Sequence, residues 1–172
     1  MVENISGIFQ KTNIIKVSRD LKQFIVNKES ILDLFLGVIE KEEEFGHSEP
    51  AFDRWLWKSF KNKTSSSIVD DFEVPIYRLN LKSNHQEILD EIRKIEVKKI
   101  FTYREALNVL RSAILAGEVK KGQRGGIIVY FSTNGSNLHY LRASRFHHDH
   151  LCIDHTEVFL SCKLNPENGI CY

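Results

Sequence analysis

The chain has 172 residues, of which 42% are hydrophobic and 27% are charged; this is the composition of an ordinary globular protein, and it excludes a chain that is disordered throughout. A chain of this length fits one domain and buries about 70% of its unfolded surface, so it needs neither disulfides nor a structural metal to fold. The 24 Lys and Arg residues against 23 Asp and Glu give a net charge of +1, which excludes a uniformly basic nucleic-acid coat but leaves room for a local basic patch. We therefore expect a single domain over residues 1–172.

Signals that direct a protein into or across a membrane are not visible in the sequence. No stretch has the roughly 20 predominantly apolar residues that a membrane helix needs. Residues 1–7 lack the basic region and apolar run of a secretory signal. The three cysteines are odd in number and irregularly spaced, so we expect free thiols in a reducing compartment. These features predict a cytoplasmic protein that does not contact membranes.

The first half of the chain is predicted to contain short strands, a buried helix and a joint. Residues 5–26 carry the alternating apolar positions that are typical of short strands. Residues 29–40 are apolar on nearly every side, which at that length indicates a buried helix. The polar stretch 61–67 contains three consecutive serines and predicts a flexible joint inside the domain. Residues 72–81 alternate as a strand does, and Pro75 favours an edge position for that strand.

Two amphipathic helices follow, each opened by a capping box. Asn84 with Glu87 three residues later begins the first helix, and Thr102 with Glu105 begins the second. The apolar residues of both helices recur at helical spacing. Gly117 is the residue type expected just after the end of the second helix.

The last third of the chain is predicted to form a β-sheet. Residues 126–132 and 137–144 flank Asn134 and Gly135, and an Asn-Gly pair between strands is the strongest short-range signal of a two-residue hairpin loop. Both strands are largely apolar on both faces, which predicts a central position in the sheet. We expect one more strand at 157–164. The predicted fold class is therefore α+β, with helices packed on a C-terminal antiparallel sheet built around an Asn-Gly hairpin.

The densest group of chemically active side chains lies within residues 146–155. It contains four of the seven histidines, two aspartates and a cysteine: His147, His148, Asp149, His150, Cys152, Asp154 and His155. Imidazole, carboxylate and thiolate are the ligands that zinc prefers. Imidazole is also the side chain best suited to proton transfer near neutral pH.

Two roles follow if this segment is extended, because alternate side chains of a strand point to opposite faces. One face then carries the three predicted ligands of a divalent metal such as zinc: His148, His150 and Cys152. His139 in the preceding strand is a fourth candidate ligand. His147 and His155 share the other face and are the predicted catalytic residues of a phosphodiester-processing or metal-dependent hydrolase. The alternative interpretation is a polar strand end with solvated histidines, since the spacing matches no zinc motif.

A basic helix and the glycine-rich segment after it form a second candidate site. Its predicted nucleic-acid-binding residues are three polar side chains at helical spacing and three basic ones that follow: Arg104, Asn108, Arg111, Lys120, Lys121 and Arg124. This stretch of about thirty residues resembles the recognition helix and wing of a winged-helix DNA-binding domain. The resemblance implies that arginine and asparagine read base edges while lysines hold phosphate. No compact three-helix core precedes it and a second hairpin follows, so the alternative is a solvated helix face joined to a strand by a basic loop.

A shorter pattern resembles one family of nucleases. Glu96 and Lys98 have the Glu-x-Lys spacing of the PD-(D/E)xK nucleases, and Asp70 and Asp71 lie upstream. In that family the acidic residues bind Mg²⁺ and the lysine activates the attacking water. Here the pattern falls at the end of a predicted helix instead of on a strand, which favours charged residues on a solvated helix end.

The sequence leaves two classes of function open. We favour a small binding protein that contacts DNA or RNA through the basic helix and hairpin. The alternatives are the phosphodiester-processing or metal-dependent hydrolase described above and a protein–protein interaction or inhibitor module. Fold alone does not decide among them.

Overall fold

The structure is a computed structural model, and it describes residues 3–4, 7–19, 24–36, 38, 51–53, 55–58, 64–65, 70–95, 100–120, 125–133, 137–145 and 151–171. In these ranges the helices are α1 (Lys28–Leu34), α2 (Trp55–Lys58), α3 (His85–Lys94) and α4 (Tyr103–Leu115). The strands are β1 (Glu3–Asn4), β2 (Phe9–Val17), β3 (Phe24–Ile25), β4 (Ala51–Phe52), β5 (Thr64–Ser65), β6 (Phe72–Leu79), β7 (Ser83–Asn84), β8 (Ile127–Thr133), β9 (Asn137–Ser144), β10 (Cys152–Glu157), β11 (Lys163–Leu164) and β12 (Gly169–Cys171). The fold is α+β, as predicted.

One mixed sheet organises the molecule, with the strand order β1-β2-β6-β12-β8-β9-β10-β4. Neighbouring strands are antiparallel except for β12 with β8 and β10 with β4, which are parallel. The two edge strands, β1 and β4, have two residues each, and the six strands between them are longer. The predicted C-terminal antiparallel sheet is therefore only part of a larger sheet, because β2 and β6 from the first half of the chain belong to it. Two small sheets pair β11 with β7 and β3 with β5.

Helices cover both faces of the sheet. On the face that carries Val129 and Leu141, called here the α4 face, α4 and α1 share one core with the strands. On the opposite face, called the α3 face, α3 packs against Ile128 and Ile170. Strand β8 is buried on both faces, which confirms the central position predicted for the hairpin.

The local signals at the helix ends are confirmed. Asn84 with Glu87 and Thr102 with Glu105 form complete capping boxes, in which each side chain satisfies a backbone N–H of the other residue. Gly117 follows α4 with φ of 77°, a left-handed conformation that favours glycine. These signals succeed because a cap depends on residues that are close in sequence.

The register of the hairpin differs from the prediction by one residue. Thr133 pairs with Asn137, so three residues connect β8 to β9 and not two. Asn134 and Gly135 themselves lie outside the described residues. Since one residue of shift changes which side chains share a face, Phe131 stands opposite His139, and His139 lies on the α4 face.

Two further strand predictions were wrong. The strand expected at 157–164 lies earlier, as Cys152–Glu157, and residues 158–162 belong to no strand. The strand that contains Pro75 is interior instead of at an edge. Pro75 pairs with Ile14 of β2, whereas β12 pairs with β6 at Tyr77 and Arg78, so residue 75 needs no backbone N–H donor toward β12.

The predicted joint at 61–67 lies outside the described residues except for Thr64–Ser65, which pairs with Phe24–Ile25. Within the described ranges, no helix is long and apolar enough to cross a membrane.

Candidate functional site

Two histidines meet on the α4 face of the sheet. His139 is on β9 and His155 is on β10, where the register places it opposite Leu141. Nδ1 of His139 lies 3.2 Å from Nε2 of His155. The other ring nitrogen of His139, Nε2, lies 3.4 Å from Oγ1 of Thr133. A chain of hydrogen-bonding groups therefore runs from Thr133 through His139 to His155, and we call these three residues the histidine relay.

A buried phenylalanine forms the apolar side of the histidine relay. The ring of Phe131 stacks on His139 with centroids 5.4 Å apart and an interplanar angle of 22°, and it lies 5.8 Å from the ring of His155. Tyr103 at the start of α4 packs against the same phenylalanine, with centroids 5.1 Å apart. Both histidines are half-buried, so each side chain is partly shielded by the core and partly accessible to solvent.

The surroundings of His155 keep its imidazole neutral. The pKa of His155 is lowered to about 4, chiefly by burial and next by the neighbouring His139, while the negative charge of Asp53 acts in the opposite direction. Asp53 follows β4, and its backbone N–H donates to the carbonyl of Ile153 at 2.9 Å. At neutral pH a neutral His155 can donate or accept one hydrogen bond at Nε2.

The predicted metal site is only partly within the described residues. His147, His148 and His150 lie outside them, so their predicted roles stay predictions. Cys152 is half-buried on β10 and three residues before His155, so the two side chains point to opposite faces. In the described ranges, no group of three or more His, Cys, Asp or Glu side chains is arranged to hold a metal ion.

The predicted nucleic-acid-binding face of the basic helix is not exposed. Arg104 is 2% exposed and Asn108 is 6% exposed, and the Asn108 side chain donates to the carbonyl of Arg104 at 3.1 Å. The exposed polar face that the spacing predicted is therefore wrong at these two positions. Nine of the 13 residues of α4 are buried, and the apolar stem of an arginine can pack inside a core.

The other predicted nucleic-acid-binding residues have mixed positions. Arg111 is half-buried and Lys120 is exposed, while Lys121 and Arg124 lie outside the described residues. Of the glycine-rich segment, Gly125 and Gly126 are buried.

The two buried glycines act as packing residues and not as part of an exposed wing. A Cβ on Gly126 would lie 2.3 Å from the carbonyl oxygen of Ala143, and one on Gly125 would lie 2.3 Å from the carbonyl of Glu167. The N–H of Gly126 donates to the Asn168 side chain at 2.9 Å. This segment therefore holds the turn before β12 against the sheet.

The nuclease-like pattern does not assemble within the described residues. Glu96 and Lys98 lie outside them. Asp71 accepts a hydrogen bond from the backbone N–H of Arg19 at 2.7 Å, and Asp70 lies 3.6 Å from the Arg19 side chain. Both aspartates are exposed, and both contact Arg19.

A third histidine was missed by the sequence analysis. His85 is 1% exposed at the start of α3, and its Nδ1 lies 2.6 Å from the hydroxyl oxygen of Tyr130. Its ring also stacks on Tyr140 with centroids 5.2 Å apart. The hairpin register places Tyr130 directly opposite Tyr140 on the α3 face, but no signal in the sequence brings His85 to this pair.

The structure thus brings one of the predicted catalytic residues, His155, into contact with His139 and leaves the other, His147, outside the described residues. On the neighbouring positions of the same two strands, Arg142 pairs with Asp154 at 2.7 Å. The sequence matches no protein-family model, and no significant match is found among curated proteins or solved structures.

Proposed function

We propose that the protein is a phosphodiester-processing enzyme in which the histidine relay transfers protons, and that its substrate is RNA. The observation that carries the proposal is the 3.2 Å contact between ring nitrogens of two histidines on adjacent strands. Each imidazole is half-buried, so a substrate can approach from the solvent side while the sheet fixes the rings. A base held in this way meets the first requirement of general base catalysis, which is geometry.

The two imidazoles have different roles in this proposal. His155 stays neutral at pH 7 because its pKa is lowered to about 4, so it can accept a hydrogen bond from Nδ1–H of His139. That tautomer of His139 leaves the lone pair of Nε2 directed toward the hydroxyl of Thr133. His139 is therefore the proposed base, and His155 is the positioning residue that fixes its tautomer.

RNA is the substrate class that this arrangement suits, because RNA carries its own nucleophile. When His139 removes the proton of a 2′-hydroxyl group, the 2′-oxygen attacks the adjacent phosphorus and the bond from phosphorus to the 5′-oxygen breaks. The products are a 2′,3′-cyclic phosphate and a 5′-hydroxyl group, whose oxygen takes its proton from solvent water. The protein needs no nucleophilic side chain for this step. A correctly placed base typically contributes a factor of about 10² to 10⁴ to the rate.

The test compares cleavage of an RNA and a DNA oligonucleotide of the same sequence, separated on denaturing gels. We expect cleavage of the RNA alone, and a loss of about 10²-fold or more in the His139→Asn variant. Thr156→Ala is the matched control, because Thr156 follows His155 on β10 and points to the opposite face. Equal cleavage of DNA, or full activity of His139→Asn, would contradict the proposal.

Two additional experiments distinguish the remaining hypotheses from RNA cleavage by the histidine relay. The same assay with a chelator tests the metal-dependent hydrolase, and His147→Asn tests the other predicted catalytic residue. Nucleic-acid binding without cleavage has less support, because Arg104 and Asn108 are buried. A protein that only binds would retain RNA in a titration and leave it intact, with affinity that falls steeply as salt rises.

A further inference from the structure

His85 links three elements on the α3 face, which is opposite to the histidine relay. It is the first residue of α3, and its backbone N–H donates to the carbonyl of Cys162 at 3.2 Å. Its side chain reaches β8 through the 2.6 Å contact with Tyr130 and β9 through the stacked ring of Tyr140. The first turn of α3 is therefore attached to the sheet through one titratable side chain.

The contact between His85 and Tyr130 depends on a neutral imidazole. Burial lowers the pKa of His85 and raises the pKa of Tyr130, so at neutral pH both groups are uncharged. In the tautomer that carries its proton on Nε2, Nδ1 accepts the hydrogen of the phenol. A proton on Nδ1 removes this acceptor and places a positive charge in a buried position. That position is also the N-terminal end of a helix, where the backbone dipole is already positive.

The groups around His85 offer little compensation for that charge. From the sheet it faces the phenols of Tyr130 and Tyr140. From the segment after β10 it meets the Cys162 carbonyl, and the next residue, the basic Lys163, pairs with Asn84. On α3 itself the carboxylate of Glu87 is engaged by the N–H of Asn84 in the capping box.

The rest of α3 is attached to the sheet by one apolar stripe. Among the ten residues of the helix, Ile88 and Ile92 are buried besides His85, and the partly buried Leu89 packs against the same cluster. They belong to a core cluster that contains no residue of α4, so α3 can leave the sheet without opening the core on the α4 face.

We propose that α3 is an acid-released element, in which protonation of His85 detaches the helix from the sheet at mildly acidic pH while the α4 face stays packed. Release uncovers the apolar side chains of the strands beneath α3: Phe9, Tyr77, Leu79, Ile128 and Ile170. Imidazole is the side chain whose charge changes between pH 5 and pH 8, which makes this surface pH-dependent. The proposal is independent of the proposed function.

Hydrogen exchange measured by mass spectrometry on the whole protein at pH 7.5 and pH 5.0 tests it. After correction for intrinsic exchange rates, the peptide covering α3 should lose protection at least tenfold at pH 5.0, and the α4 peptide should lose much less. In His85→Asn, whose amide oxygen can replace Nδ1 as acceptor, the α3 peptide should keep its protection at pH 5.0. His155→Asn is the control, because it removes a titrating histidine from the opposite face of the sheet; its α3 peptide should still lose protection at pH 5.0. Equal loss in α3 and α4 overturns the proposal, and so does a loss in α3 that persists in His85→Asn.

Tyr130→Phe provides a second variant in case His85→Asn does not fold. It removes the hydrogen bond that favours neutral His85 and retains the ring. Protonation should then be easier, so the midpoint of α3 release should move to higher pH than in the parent. An unchanged midpoint would show that His85 does not control the helix.

Discussion

His155 shows how a single residue acquires unusual chemistry from two ordinary surroundings. The sheet removes most of its solvent, and a second imidazole lies 3.2 Å from its Nε2. Both effects disfavour the charged ring, so its pKa falls to about 4. A residue that stays neutral well below pH 7 is suited to orient a neighbouring base, and it makes stability depend on pH.

The stability of the protein should decrease on acidification because of His155. The folded pKa of about 4 lies below the ordinary value of 6.5, so between these pH values the unfolded state binds more protons. The contribution of His155 is therefore complete above about pH 6.5 and is lost as the pH falls toward 4. On acidification, we expect His155→Asn to lose on the order of 1 kcal/mol less free energy of unfolding than the parent does. This value is smaller than the full pKa shift implies, because solvent screens the partly exposed ring.

Urea unfolding at pH 7.0 and pH 4.5 measures this effect. The comparison uses the difference in free energy of unfolding between the two pH values, for the parent, His155→Asn and Thr156→Ala. If all three proteins lose the same free energy on acidification, the environment inferred for His155 is wrong.

Gly126 is a position where one methyl group should be costly. A Cβ there would lie 2.3 Å from the Ala143 carbonyl oxygen, and backbone cannot give way as a flexible side chain can. Gly126→Ala should destabilise the protein by about 3 kcal/mol, the upper end of the cost of overpacking. Gly7→Ala is the matched control, because a Cβ on Gly7 meets no atom within 4 Å. Equal melting temperatures of the two variants would contradict the close approach.

Elements whose signals are local in sequence could be predicted, and those that depend on distant partners could not. The capping boxes at Asn84 and Thr102 placed two helices correctly, since each box lies within four residues. The hairpin was found but its register was wrong, because Asn134-Gly135 indicates a turn without fixing the number of residues in it. The shift of one residue in the register places His139 on the same face of the sheet as His155.

Burial of polar side chains was the other part that the sequence did not reveal. Arg104 and Asn108 have the spacing of an exposed face, yet α4 is covered on that side as well. The position of β12 between β6 and β8 also could not be predicted, because its partners lie far away in the sequence. His155 was identified from composition, whereas His85 required the tertiary structure.

The cap of α3 allows a prediction at the level of one element. The Asn84 side chain accepts from the N–H of Glu87 at 2.8 Å, and replacing a capping Asn with Ala typically costs about 1 kcal/mol. Asn84→Ala should therefore lower the free energy of unfolding by about that amount. Asn80→Ala is the control, because Asn80 is exposed and lies outside the helix. Equal stability of both variants in urea would show that the cap contributes nothing.

At the scale of the whole molecule, β12 joins two groups of strands. It pairs antiparallel with β6 on one side and parallel with β8 on the other. Ile170 in the middle of β12 is 0% exposed and lies opposite both Tyr77 and Ile128. The continuity of the sheet therefore rests on three residues.

Ile170→Ala tests the importance of this junction. Removing a fully buried isoleucine side chain typically costs about 2–5 kcal/mol, because a cavity remains. Ile14→Ala is the matched control, since Ile14 is 47% exposed and should change stability by less than about 1 kcal/mol. Thermal unfolding followed by circular dichroism compares them. A small effect at Ile170 would mean that the two groups of strands are stable without β12.

The place of β12 in the chain has a consequence for biosynthesis. The seven other described strands of the sheet precede residues 169–171 in the chain, so they leave the ribosome first and form two incomplete half-sheets. The facing edges of those half-sheets are β6 and β8, which are apolar and unpaired until β12 arrives. Such edges are templates for pairing with another chain. We therefore expect prompt insertion of β12, or a chaperone that shields the gap, to limit pairing between nascent chains on the same messenger RNA.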